Sequence, residues 1–127
     1  MSVTKEDLLQ LAGELVLAAT EVQWRAGASR AYYAAYHGCL VWHAGMPTPG
    51  SLGGGKPGGV HQQLLNQLRN GAPEWSASQR TLGRMVSAQL SALKARRKIA
   101  DYDLSVSFDQ ALAASDCAMA RLLVSSV

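Results

Sequence analysis

Ser29-Arg30-Ala31-Tyr32-Tyr33-Ala34-Ala35-Tyr36-His37 is the stretch from which the fold is read. It contains neither glycine nor proline, and its alanines are the strongest helix formers. Helical spacing puts Arg30, Tyr33 and His37 at i, i+3 and i+7, on one face, with Tyr32, Tyr36 and His43 on a neighbouring stripe. The helix is expected to start near Ser29 and to run to about Gly45, where Gly45-Met46-Pro47 is a stop.

Working outward, Thr4 and Asp7 form a near capping box for an earlier helix. Leu8, Leu11, Leu15, Ala18, Ala19 and Val22 recur along it, and its end is expected near Trp24 to Gly27. Residues 45–59 hold seven glycines and three prolines and read as a long, mobile loop. Val60 to Arg69 reads as a short helix with Leu64, Leu65 and Leu68 on one face and Asn70-Gly71 as its C-cap. Ser76 or Ser78 caps a long helix to about Lys98, striped by Leu82, Val86, Leu90 and Leu93. Asp101 to Ser107 is a connector. Ser107 then caps a last helix carrying Ala111, Leu112, Ala114, Ser115, Ala118, Met119 and Leu122. No stretch alternates apolar and polar residues with the period of a strand. The expectation is an all-α, antiparallel four- to five-helix up-and-down bundle, one domain over residues 1–127.

Composition narrows the setting. Cys39 and Cys117 lie far apart in apolar helical patterns and are expected to be buried thiols rather than a disulfide. The polar opening from Met1 to Asp7 does not resemble a signal peptide. No apolar run approaches the ~20 residues of a membrane span, so a cytoplasmic protein is expected. The net charge of +3 is unevenly placed. Residues 1–23 set Lys5 against Glu6, Asp7, Glu14 and Glu21. From Trp75 to Ala100 there are Arg80, Arg84, Lys94, Arg96, Arg97 and Lys98 and no acid. Such a stripe is either a solvated face or a footprint for an anion or nucleic acid.

Four groups carry candidate chemistry. Gly50-Ser51-Leu52-Gly53-Gly54-Gly55-Lys56 begins like a P-loop. Pro57 replaces the magnesium-binding Ser or Thr, and a helix stands where a strand is needed, so the motif fails. Lys56 remains as a point charge for a phosphate. His37, His43 and His61 lack the partners and spacing of metal ligands, so no metal or other cofactor is expected. Arg30, Tyr33 and His37 read either as packed side chains or as the wall of a polar site, with the imidazole suited to general base chemistry. Finally, Arg97-Lys98-Ile99-Ala100-Asp101-Tyr102 places an arginine near a buried stripe, where it needs a carboxylate or an anion. Asp101 is the obvious partner, and a structural clamp is the alternative to a binding site.

Ser29-Arg30-Ala31-Tyr32-Tyr33-Ala34 and Arg97 followed by Ala100-Asp101-Tyr102 together resemble the HEPN family, in its bacterial branch with the same two motifs. The resemblance implies a helical bundle, often a homodimer. It also implies a toxin–antitoxin or defence setting, frequently beside a nucleotidyltransferase partner protein. It further implies binding of RNA or a nucleotide near Arg30, Tyr33, His37, Lys56, Arg96, Arg97, Asp101 and Tyr102. Many members are metal-independent ribonucleases using an arginine followed four to six residues later by a histidine. Here the corresponding positions after Arg97 hold Tyr102, Asp103 and Leu104, so binding without catalysis is the first expectation. A ribonuclease toxin using Arg97 and His37, and a ligand-free dimerisation scaffold, are the alternatives.

Overall fold

Five helices and no strand make up the described residues, 2–54 and 58–127, of the computed structural model. They are α1 (Lys5–Val16), α2 (Glu21–Ala44), α3 (Val60–Asn70), α4 (Ala77–Tyr102) and α5 (Gln110–Ser126). The expected all-α bundle is what forms. Lys56 falls outside the described residues.

Side-chain chemistry sets most of the helix ends. Thr4 and Asp7 cap α1 reciprocally, and Ser76 and Gln79 do the same for α4. Gly71 ends α3 at φ +61°, a conformation that favours glycine. Two starts differ from the sequence reading. The first helix stops at Val16 instead of continuing toward Gly27, and α2 begins at Glu21 rather than Ser29. Thr20 makes this break: its hydroxyl accepts from Gln23 N–H and donates to Gln23 Oε1. Trp24 Nε1 donates to the Ala18 carbonyl at 2.8 Å, satisfying a group freed at the corner. At the other end of the chain Asp109, not Ser107, caps α5 by accepting from Leu112 N–H at 2.8 Å.

Helices α1, α2, α4 and α5 alternate in direction. The α1 residue Val16 faces Gly27, and Lys5 faces Gly38, so α1 runs antiparallel to α2. Arg25 reaches Ile99 and Ala100 while Tyr33 reaches Arg97, which makes α4 antiparallel to α2 as well. Helix α2 packs against all four others, and small residues line it: Gly27, Ala28, Ser29, Ala31, Ala34, Ala35 and Gly38 are buried. A Cβ on Gly27 would lie 3.0 Å from Val16 Cγ1, so the absence of a side chain sets the α1–α2 separation.

The core shows where two expected stripes were misplaced. Along α1 the buried positions are Ala12 and Val16, while Leu11 is exposed, as is Val22, which belongs to α2. Along α5 they are Ala113, Asp116, Cys117, Ala120 and Leu123, whereas Ala111, Leu112, Ala114, Ser115, Ala118 and Leu122 face outward. In both helices the seam follows small residues that permit close approach, not the largest apolar ones. The stripes of α3 and α4 follow expectation, with Leu64, Leu65, Leu68, Val86, Leu90 and Leu93 buried and Leu82 half-buried. Cys39 and Cys117 are buried free thiols. No helix among the described residues is long and apolar enough to cross a membrane.

After α2, residues 48–51 are held more firmly than their composition suggests. Trp75 Nε1 donates to the Thr48 carbonyl, Gly50 N–H to His43 Nε2, and Ser51 N–H to the Gly71 carbonyl. A Cβ on Gly50 would lie 2.0 Å from the Gln67 carbonyl oxygen, so only glycine fits there. The expectation of a mobile loop is therefore corrected for residues 48–51.

Candidate functional site

The end of α4 is the platform of the site, and its position depends on a buried residue of α2. Arg25 Nη1 donates to the carbonyls of Ile99 (3.0 Å), Ala100 (3.1 Å) and Asp103 (3.1 Å), and Nη2 donates to Val106. Ala100 is among the final carbonyls of α4, which have no partner within the helix, and Ile99 also accepts from the Asp103 amide at 3.1 Å. A cation there also opposes the negative end of the helix dipole. The expected connector at Asp101 and Tyr102 is instead the last turn of α4. Arg97 and Asp101 are consequently one helical turn apart on one face.

Arg97 is held from three directions. Its Nε stands 2.9 Å from Asp101 Oδ2, a close ion pair rather than an aligned hydrogen bond. Its Nη2 donates to Tyr33 Oη at 2.7 Å. Its guanidinium carbon lies 5.3 Å from the ring centres of both Tyr33 and Tyr102. Burial opposes its charge, but Tyr33, Tyr102 and Asp101 outweigh that and hold its pKa above the ordinary value. Ser29 Oγ donates to the same Asp101 oxygen at 3.1 Å, tying α2 to the clamp.

Arg30 lies on the other side of this cluster, 5.7 Å from the Tyr33 ring centre. The result is an alternating series, Arg30, Tyr33, Arg97 and Tyr102. Tyr102 is 71% exposed, which leaves much of its ring open to a partner. Arg30, Tyr33 and His37 also line a cleft of about 740 Å³ against the start of α1, with Thr4, Lys5 and Leu8 opposite. The three residues placed on one face by their spacing do share one wall.

His61 is the residue that spacing alone missed. Its ring stacks on Tyr36 with centres 4.2 Å apart and lies 5.7 Å from Tyr32 and 6.2 Å from Tyr33. Its Nδ1 is hydrogen-bonded to Tyr32 Oη. Burial pushes the Tyr32 pKa upward, so its hydroxyl stays protonated. Donation to Nδ1 uses that proton and places the ring hydrogen on Nε2. Burial, then Lys94, Arg97 and His37 nearby, lower the His61 pKa, making the imidazole neutral at pH 7. The only signal in the sequence was a histidine in the first turn of a helix otherwise free of charge until Arg69.

Arg96 does not join the cluster. Its Nε lies 3.5 Å from buried Asp116, and its guanidinium sits 5.4 Å from the Phe108 ring centre, so it fastens α4 to α5. Burial raises the Asp116 pKa, and Arg96 opposes that rise. Arg97, Asp101, Tyr102, Tyr33 and Arg30 are thus brought together, His37 lies along the adjoining cleft, and Arg96 is elsewhere.

Compared with protein-family models, curated proteins and solved structures, the chain matches none.

Proposed function

We propose that this is a HEPN-like protein that binds RNA or a nucleotide at the Tyr33–Arg97 cluster, without cleaving it. The observation that carries this reading is the alternating series Arg30, Tyr33, Arg97 and Tyr102 beside an open cleft. Tyrosine rings offer bases a stacking surface worth about 1–3 kcal/mol each. Arg30 supplies positive charge along the cleft, while Lys5 there is paired with Glu6 at 3.3 Å. A phosphate approaching Arg97 competes with Asp101, and no histidine follows Arg97 in the chain, which favours binding without cleavage. In the same reading the protein works in the cytoplasm as a homodimer, with a nucleotidyltransferase partner in a toxin–antitoxin or defence system.

The test is fluorescence anisotropy with labelled mononucleotides and short RNAs at low salt. Tyr102→Ala removes an exposed ring and is expected to weaken binding about tenfold or more, consistent with one lost stack. Arg97→Gln should weaken it further. Wild-type protein that binds none of these probes would sink the proposal.

One observation favours a second reading. His61, with a neutral imidazole, and His37 adjoin the same tyrosine wall as Arg97. Of the two, His37 provides the base that the segment after Arg97 lacks, as a metal-independent ribonuclease requires, because the basic nitrogen of His61 already accepts from Tyr32. RNA cleavage without metal, abolished by Arg97→Ala and by His37→Gln, would establish that reading. Intact RNA after prolonged incubation with wild-type protein would remove it.

A further inference from the structure

Between Glu21 and Asp101 the chain has a single carboxylate, Glu74, and that one accepts a hydrogen bond from Thr48 at 3.0 Å. The basic residues of this region therefore divide by what they touch. Arg25, Arg80, Arg96 and Arg97 are committed to backbone carbonyls or carboxylates. Apart from Arg30 in the tyrosine cluster, Arg69, Arg84, Lys94 and Lys98 have no carboxylate within ion-pair distance among the described residues.

These remaining cations are not scattered. Arg84, Ser87, Ser91, Lys94 and Lys98 recur at intervals of three or four, so they share one face of α4. At 1.5 Å per residue the row is about 21 Å long. Across from it, α3 presents Gln62, Asn66 and Arg69, also on one face. The two rows enclose a groove of about 210 Å³ lined by Gln62, Arg69, Arg84, Ser87 and Ser91. Its cations make only weak bonds to neutral groups: Arg69 to Asn66 at 3.3 Å, Arg84 to Thr81 at 3.4 Å, and Lys94 to Gln62 at 3.3 Å, while the buried Ser87 hydroxyl donates to the Leu65 carbonyl at 3.0 Å. Burial, and then Lys98, hold the Lys94 pKa below its ordinary value, as expected of a cation beside a like charge. The upper end of the row meets Arg97, three residues beyond Lys94, and hence the tyrosine cluster.

We infer that the α3–α4 groove is a track for the phosphodiester backbone of single-stranded RNA, leading to the Tyr33–Arg97 cluster. A linear series of cations with the Ser91 hydroxyl and the Gln62 and Asn66 amides beside them, and no acid, suits a repeating anion better than a single one. A base stacked at Tyr102 places its own strand at the Lys98 end of the row. The ligand class rests on the RNA-binding reading above, whereas the position of the track rests on the groove.

Affinity is measured by anisotropy for a labelled dinucleotide and a labelled twelve-nucleotide RNA, across a salt series. The twelve-mer should bind much more tightly, with a log–log salt slope near −0.7 for each phosphate contacted. Replacing Arg69 and Arg84 together by alanine should flatten that slope by about 1.4 and leave dinucleotide affinity unchanged. Arg121→Ala, on the opposite side of the bundle, is the control and should alter neither. If the twelve-mer gains nothing over the dinucleotide, or the double variant keeps the full slope, the track is refuted while the cluster stands. If twelve-mer binding depends on Arg69 and Arg84 but no probe responds to Arg97→Gln or Tyr102→Ala, the track stands and the cluster fails. Binding to phosphatidylserine vesicles with none to RNA would overturn the inference in favour of a membrane surface.

Discussion

Arg25→Met should unfold this protein more readily than any surface substitution, and the size of the loss follows from its bonds. Arg25 is 7% exposed and its guanidinium reaches four backbone carbonyls. Three of them share Nη1, which has only two hydrogens, so the contacts amount to about three full bonds. A charge-assisted hydrogen bond contributes about 1.5–3 kcal/mol net, and bonds that share a donor do not add. Methionine fills much of the volume but removes the Arg25 donor from the carbonyls of Ala100, Asp103 and Val106, while Ile99 keeps the Asp103 amide. The expected loss is about 3–5 kcal/mol, as found when one side of a buried charged contact is removed. A domain of this size has roughly 5–15 kcal/mol in total. The melting midpoint should fall by about 10–20 °C, interpolating between the usual size classes. Urea unfolding followed by circular dichroism measures the loss, with Arg84→Met as the exposed control. Arg25→Lys retains the charge without the planar fork and should fall between wild type and Arg25→Met. A loss for Arg25→Met below about 1 kcal/mol would refute the idea that this side chain holds the end of α4.

Gly83→Ala places a Cβ 2.5 Å from the Leu68 carbonyl oxygen and 3.1 Å from Trp75, forcing α4 away from α3. Overpacking of about 1–3 kcal/mol outweighs the ~1 kcal/mol gain in helix propensity, so urea titration should show a net loss; a gain would be contrary. His43 and His61 both have pKa values lowered from 6.5, chiefly by burial. The unfolded chain then binds more protons, so their contribution is complete above pH 6.5 and is lost as the pH falls through the folded values. Melting curves from pH 7.5 to 5 should show this decline, and the variant with glutamine at both positions should flatten it. Tyr32→Phe removes the donor to His61 Nδ1, and the His61 pKa should rise when titrated by nuclear magnetic resonance. A fall would mean that the histidine, not the tyrosine, is the donor.

The bundle was legible because helix formers, caps and breakers agreed over long segments. Ser76, Thr4 and Gly71 each end a helix by chemistry visible in a few residues. The corner at Thr20 was legible in principle too, since Thr20 and Gln23 have capping-box spacing, but alanines around it suggested continuity. The seams of α1 and α5 were not legible, because leucine count does not reveal which face meets a glycine such as Gly27. Within the site, Arg30, Tyr33 and His37 followed from helical periodicity, and the Arg97–Asp101 pair from i, i+4 spacing. Tyr33 meeting Arg97 depends on tertiary packing across 64 positions. His61 joined the tyrosines only through the return of the chain after Gly50, for which no local pattern exists. Arg25 had no signal beyond its charge; its role comes from carbonyls 74 to 81 positions away.

The two free thiols make the protein its own unfolding reporter. Cys39 is fully buried in α2, and burial pushes its pKa up to about 12, while Cys117 is 3% exposed. A thiol that is both shielded and protonated does not react with alkylating reagents. Modification of Cys39 therefore requires the helices around α2 to separate, and its rate in native buffer counts large openings directly. A cysteine introduced at an outward position such as Leu104, 75% exposed, would be labelled long before either native thiol. The natural sequence thus accepts a single probe without first being stripped of its own cysteines.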